Sequence, residues 1–161
     1  MSASYGVSIP QNVAPNQPVI FNDNVCPCSQ GMIFKKSGGV FLLASNAPDN
    51  SCSCGCGCRK IYLTNYEVEV HANILLPEGG TPNEEIRLAV AVYGVIDPES
   101  IMSFVPTAVL TDIGNVGTSI IVPVPSICGC DSIAVVNAST QGITVNNASL
   151  VFDYAGVRRI K

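Results

Sequence analysis

The sequence predicts an all-β protein: a jelly-roll β-sandwich of eight to ten antiparallel strands with an extended N-terminal arm. Three observations support this prediction. Short runs of β-branched and aromatic residues recur along the 161 residues, Gly, Pro, Asn and Asp separate them, and no segment is a confident helix. Many short strands at this spacing are typical of a sandwich or jelly roll.

Residues 1–17 are predicted to form a connector arm, and residues 18–161 the jelly-roll domain. The arm is rich in proline and small polar residues, and its apolar residues follow the period-two pattern of an extended segment. Such a segment can add to a sheet edge of a neighbouring subunit, while a disordered leader is the alternative. The expected assembly contacts are Tyr5, Val7, Ile9 and Val13.

The strands of the body are placed by residue type and by the turns between them. Residues 32–34 and 40–43 flank the turn sequence KKSGG, which predicts a hairpin. Residues 66–74 alternate apolar and polar side chains, as a half-buried strand does. Residues 86–95 are dense in valine, which favours a strand over a conceivable helix. The other predicted strands are 18–21, 107–111, 118–124, 132–137 and 143–154.

Charged residues make up only 12% of the chain, against about 25% in an ordinary soluble domain. Part of this weakly charged surface is therefore expected to be buried against other copies of the protein; a monomer with a neutral polar surface is the alternative. The net charge is −4 and the basic residues form no stripe, so nucleic acid is not an expected partner. Neither a signal peptide nor an apolar run of about 18 residues is present, so no membrane insertion is expected.

The eight cysteines are the unusual chemistry of the chain. All lie in Cys-x-Cys steps within Gly-, Ser- and Pro-rich segments, and half of them fall in a predicted cysteine-rich loop, 46–60. A disulfide network within or between subunits is one interpretation, each bond adding about 2–4 kcal/mol. Free thiols are a second. The disulfide candidates are Cys26, Cys28, Cys52, Cys54, Cys56, Cys58, Cys128 and Cys130. A third interpretation is a thiolate metal site, although Cys-x-Cys is not the usual zinc spacing, at Cys52, Cys54, Cys56 and Cys58.

No catalytic or cofactor-binding set of residues is predicted. His71 is the only histidine, and it shares a strand face with Glu67 and Glu69 because alternate residues of a strand face the same side. No nucleophile is apparent as its partner, so His71 is interpreted as a structural or surface residue. A phosphate-binding glycine motif is also missing. The sequence therefore predicts a protein that is not an enzyme and has no cofactor.

The order of the strands resembles the trimeric jelly roll of tumour-necrosis-factor-like ligands and complement-type globular heads. The resemblance covers roughly residues 18–160 and is carried by the order of short motifs: 19–22 (VIFN), 31–33 (GMI), 39–43 (GVFLL), 66–70 (YEVEV), 89–94 (AVAVYG) and 147–150 (NASL). It implies three-fold self-association through the side of the sandwich and no catalytic residues. The cysteine-rich insert departs from the family, which has a short loop at that point.

With its arm and Cys-x-Cys loops, the chain looks like endospore appendage or exosporium proteins of spore-forming bacteria. In those families an N-terminal connector docks into the next subunit along a fibre. The resemblance implies a self-assembling structural subunit, a homotrimer or fibre, on the extracellular surface of a spore. A phage capsid-decoration or fibre protein on a virion surface is the first alternative. A module that binds a glycan or a receptor through its loops is the second.

Overall fold

A computed structural model describes residues 2–26, 32–45, 62–125 and 130–159. Within these ranges the chain has twelve strands and no α-helix. The strands are β1 (Ser2–Val7), β2 (Gln11–Val13), β3 (Asp23–Cys26), β4 (Ile33–Lys35), β5 (Val40–Ala44), β6 (Tyr62–Leu75), β7 (Ile86–Val92), β8 (Val95–Ile96), β9 (Met102–Phe104), β10 (Gly114–Pro125), β11 (Cys130–Asn137) and β12 (Ile143–Arg159). The predicted all-β fold is confirmed. The count exceeds eight to ten because four strands have only two or three residues.

The strands form two antiparallel sheets of six strands each, which pack as a jelly-roll sandwich. Sheet A has the order β10-β6-β12-β1-β3, and β2 pairs with the start of β12. Sheet B has the order β4-β5-β11-β7-β8, and β9 pairs with the start of β7. In the described part of the chain, no helix has the length and apolar character needed to cross a membrane.

An aromatic cluster joins the two sheets across the core. Phe41 of β5 points inward from sheet B, and its ring centroid lies 4.6 Å from that of Tyr5 in β1. Phe152 of β12 lies 5.3 Å from Phe41, and Phe21 lies 6.1 Å from it. All four rings are buried. Because buried aromatic rings contribute large apolar areas and favourable tilted contacts, this cluster is a main source of the sandwich's stability.

The N-terminal segment, predicted to be an extended connector arm, is extended and contributes β1 and β2 to sheet A. β1 pairs with β12 along its whole length and also with β3, so it is an internal strand of sheet A. Tyr5, Val7 and Val13 are buried in the chain's own core, whereas Ile9 is 70% exposed. The alternating pattern does indicate extended structure, but its apolar side chains complete this subunit's own sandwich. The division into an arm, 1–17, and a body, 18–161, stays a prediction, as does docking of the arm into a neighbouring subunit.

The hairpin predicted around the KKSGG turn is present as β4 and β5. Gly38 and Gly39 in this turn have φ values of 74° and 78°, a conformation that glycine adopts without steric cost. A Cβ on Gly39 would also lie only 2.3 Å from the carbonyl oxygen of Val19. The turn therefore needs glycine at this position for both its conformation and its close backbone contact.

The strand predicted at 107–111 is wrong, because these residues form bends and turns after β9. The backbone N and the Oγ1 of Thr107 both donate to Asp112 Oδ2, at 2.7 and 2.9 Å. Leu110 also has a positive φ of 63°. Local side-chain bonds of this kind compete with the strand ladder, and the alternation of Val and Thr does not reveal them.

The strand predicted at 18–21 is also not formed, apart from one bridge between Pro18 and Val136. Proline cannot donate a hydrogen bond to a ladder. Two residues on, the backbone N of Ile20 donates to the side chain of Gln11 at 2.9 Å, and not to a backbone carbonyl of a neighbouring strand. The segment is therefore held by individual bonds beside β11.

Candidate functional surfaces

The structure describes the backbone of two of the eight cysteines. Cys26 ends β3 and pairs with Ser4 of β1, and Cys130 begins β11 and pairs with Ala44 at the end of β5. The predicted loop 46–60 lies outside the described residues. The same holds for Cys28, Cys52, Cys54, Cys56, Cys58 and Cys128. The disulfide and thiolate interpretations of these residues stay predictions.

The strand ends that border the three cysteine-bearing segments lie at the same end of the sandwich. In sheet A, β10 ends beside the start of β6, and β3 ends beside the start of β1. In sheet B, β11 begins beside the end of β5. The two sheets meet here, since the hydroxyl of Tyr66 in β6 donates to the carbonyl oxygen of Ala44 at 2.5 Å. A disulfide network among the three cysteine-bearing segments would need their bordering strand ends to lie close together, and these strand ends do lie at one end of the sandwich.

The outer face of sheet B is apolar. Its inward side chains fill the core, and the residues that alternate with them face outward. Val40, Ala134 and Ala91 form one row across three neighbouring strands. Within the described strands of sheet B, the charged residue that faces outward is Arg87, near the start of β7. The apolar members of this face are the exposed Phe34, the half-buried Val40, Leu42, Ala44, Ile96, Ala134 and Val136, and the buried Ala89 and Ala91.

A shallow hollow of about 200 Å³ lies in this apolar face. Small side chains leave room for it, because Ala91 and Ala134 are neighbours across β7 and β11. Its lining is formed by Asn16, Pro18, Ala91, Gly94, Ile96, Ala134 and Val136. The lining is mostly apolar, so the hollow suits an apolar side chain of another molecule and not an ion.

The outer face of sheet A carries acidic side chains, and the exposed apolar Ile121 lies on it beside Glu67. His71 lies on it together with Glu67 and Glu69, as the alternation of β6 predicts. Glu67 pairs directly with Asp153 of β12, and like charges opposite one another repel. Glu69 Oε1 lies 2.7 Å from His71 Nε2, and Ser119 Oγ donates to Glu67 Oε1 at 2.9 Å. The two outer faces of the sandwich therefore differ sharply in charge.

Next to the acidic residues, the outer face of sheet A holds a shallow polar groove of about 250 Å³. Three neighbouring strands, β10, β6 and β12, line it. The lining residues are His71, Ala72, Asn73, Asn115, Asn147, Ala148 and Ser149. The sequence does not reveal this groove, because the asparagines are far apart in the chain and only the strand register brings them together.

The remaining charged contacts are local pairs on the surface. Arg87 Nε donates to Glu85 Oε2 at 2.7 Å. Hydrogen bonds from Arg87 and then Ser103 hold the pKa of Glu85 below its usual value. In the part of the chain that the structure describes, no three His, Cys, Asp or Glu side chains converge to hold a metal ion.

These observations define the class of the protein as a two-sheet jelly-roll domain. Among solved structures, the chain is similar to the globular domain of zebrafish complement 1qA protein, with a TM-score of 0.52 and 11% identity over 98% of both chains. The expected likeness to complement-type heads is thereby confirmed at the level of fold. No protein-family model matches the chain, and no curated protein sequence is significantly similar.

Two carbohydrate-binding modules align at lower structural similarity. One is a family 35 module from Clostridium thermocellum, with a TM-score of 0.36 and 12% identity over 93% of this chain and 97% of that chain. The other is CBM35 from Cellvibrio japonicus Abf62, with a TM-score of 0.35 and 9% identity over 100% and 99%. Both scores are too low to establish a common fold.

Proposed function

We propose that this protein is a non-enzymatic structural subunit that assembles with copies of itself through the outer face of sheet B. The observation that carries this proposal is the apolar centre of that face. An apolar face exposed on a single molecule is costly in water, and burying it against a second molecule removes that cost. The low charge content of the whole chain, 12%, agrees with a surface that is partly covered in the assembled state.

The occupant of this face is a second copy of the chain, because the charges of the two outer faces select this contact. Two copies of the sheet B face meet without like charges at the centre, as a self-complementary interface requires. Two copies of the sheet A face would bring Glu67, Glu69 and Asp153 against the same residues of the neighbour. The repulsion there favours contact through sheet B.

The size of the face sets the strength of one contact. Five strands at about 4.8 Å spacing, with an average of five residues each at about 3.4 Å rise, give a face of about 400 Å² in projection. A standard interface buries about 800 Å² on each partner. One contact of this size is therefore weak and joins only two copies. A fibre or lattice needs a second contact, proposed below at the cysteine-bearing end, and gains strength from the two together.

The cysteine-bearing end supplies the covalent part of the proposed assembly. The strand ends that border all three cysteine-bearing segments lie at that end of the sandwich. Disulfides between subunits at this end would toughen a fibre, and they form in oxidising surroundings outside cells. We therefore place the assembly on the exterior of a spore, with a virion surface as the alternative. The arm is not essential to this proposal, because β1 completes the subunit's own sandwich.

The test is a charge placed at the centre of the sheet B face. Ala134 is half-buried and faces outward on an internal strand, β11. Ala134→Lys is expected to shift the mass measured by light scattering from oligomers to monomers, while circular dichroism shows a folded protein. The matched control is Ser4→Lys, since Ser4 is also small, half-buried and outward, but on the internal strand β1 of sheet A. If Ala134→Lys assembles as the wild type does, the proposed interface is wrong.

A further inference from the structure

The polar groove on the outer face of sheet A has the chemistry of a ligand site that self-assembly does not use. We propose that this groove binds a neutral saccharide. The site lies on the opposite side of the sandwich from the sheet B face, so binding here goes beyond the proposed assembly and is compatible with it. A rigid sheet also holds the lining side chains in fixed relative positions, which favours recognition.

Strand register arranges the polar residues of the groove in two rows. The first row holds three amides in succession, Asn115 of β10, Asn73 of β6 and Asn147 of β12. In the second row, His71 lies between Gly117 and Ser149. Rows on one face are about 7 Å apart, and three strands span about 10 Å. The array therefore offers an extended set of hydrogen-bonding groups on the scale of one or two sugar rings.

The amides provide donors and acceptors side by side. Asn73 Nδ2 donates to Asn147 Oδ1 at 2.9 Å. This bond uses one polar atom of each side chain, so Asn73 Oδ1 and the hydrogens of Asn147 Nδ2 can serve a ligand. A side-chain amide pairs with adjacent hydroxyl groups because it can accept from one and donate to the other. Adjacent hydroxyls are the recurring feature of saccharides.

His71 is held in place at the edge of the groove by its neighbours. Its Nε2 lies 2.7 Å from Glu69 Oε1, so a proton on Nε2 is donated to this carboxylate. The other ring nitrogen, Nδ1, takes no part in that hydrogen bond. The ring lies over Gly117, where a Cβ would be only 2.5 Å from His71 Nδ1. Glycine at this position is therefore what allows the imidazole to take its place beside the groove.

The composition of the lining selects a neutral polar ligand over other classes. No Lys or Arg is among the lining residues, so a phosphate, sulfate or carboxylate would find no fixed cation. The acidic residues next to the groove, Glu67 and Glu69, would repel such an anion. The only apolar lining residues are Ala72 and Ala148, which is too little for an apolar ligand. A neutral, polyhydroxylated ligand satisfies these conditions.

The experiment uses the full chain, labelled with ¹⁵N, and three neutral trisaccharides: cellotriose, chitotriose and maltotriose. At least one is expected to shift amide resonances around the groove, with a dissociation constant of about a millimolar, since the groove is open and has no aromatic platform. Asn73→Ala should weaken this binding about tenfold, because it removes the amide and its bond to Asn147. The matched control is Asn65→Ala, an asparagine on the same strand and outer face that lies outside the groove.

Several outcomes would overturn the proposal. The proposal is wrong if none of the three sugars shifts the groove resonances at about 10 mM. Tighter binding of an anionic control, trigalacturonate, would show that the ligand class is wrong, and equal weakening by Asn65→Ala would show that the site lies elsewhere. Ser149→Ala serves as a second variant in case Asn73→Ala fails to fold, because Ser149 is exposed, and it is expected to weaken binding severalfold.

Discussion

The burial of Tyr5 gives a direct test of whether the N-terminal segment belongs to this subunit's own core. Its ring lies 4.6 Å from Phe41 and 6.2 Å from Phe152, and the residue is only 3% exposed. A buried aromatic side chain of about 150–250 Å² corresponds to an upper bound of about 4–6 kcal/mol at 25 cal/mol per Å². Measured truncations of buried aromatic residues to alanine cost about 3–5 kcal/mol.

We therefore expect Tyr5→Ala to lower the free energy of unfolding by about 3–5 kcal/mol, measured by urea titration at several protein concentrations. The loss should not depend on concentration, because the contacts are within one chain. The control is Ile9→Ala, which removes a large apolar side chain from the same segment at a position that is 70% exposed; it should change stability by less than about 0.5 kcal/mol. The account is refuted if the two variants are equally stable, or if the Tyr5→Ala loss appears only at concentrations at which the protein assembles.

Two further predictions concern the stability of the fold, at a glycine turn and at a buried asparagine. Gly39→Ala should destabilise the protein by about 1–3 kcal/mol more than Gly38→Ala in thermal or urea unfolding. Both glycines have a positive φ, but only at Gly39 would a Cβ lie 2.3 Å from a backbone carbonyl oxygen. Equal losses of stability in the two variants would contradict the close contact. Asn137→Ala should cost about 2–4 kcal/mol, because this buried side chain makes three hydrogen bonds, one of them to the carbonyl oxygen of Val13. Asn115→Ala, at an exposed position, should leave the free energy of unfolding nearly unchanged. Similar losses for the two variants would show that the buried hydrogen bonds of Asn137 do not stabilise the fold.

The parts of the fold that could be predicted from the sequence depend on local patterns. Residues 66–74 alternate strictly, and they form the centre of β6 with the expected side facing the core. The KKSGG turn sets its own conformation through glycine, so β4 and β5 follow from it. In both cases the information lies within a few neighbouring residues, which is why periodicity and turn chemistry suffice.

The partner of a strand is a long-range property that a local pattern does not contain. Tyr5 and Val7 alternate in the same way whether the segment pairs with its own subunit or a neighbour, and only the pairing with β12 shows which core they fill. The polar groove escapes prediction for the same reason. Asn73, Asn115 and Asn147 become neighbours through the register of β6, β10 and β12, and single strands give no sign of that register.

We propose that the apolar outer face of sheet B brings copies of this protein together. Sedimentation velocity of the reduced wild-type protein over a hundredfold range of concentration tests it most directly, since reduction removes any contribution from disulfides. We expect monomers at the lowest concentration and a progressive shift to dimers as concentration rises, because the self-complementary contact through sheet B joins two copies and, at about 400 Å², is weak. Sedimentation as a monomer at every concentration would contradict the claim.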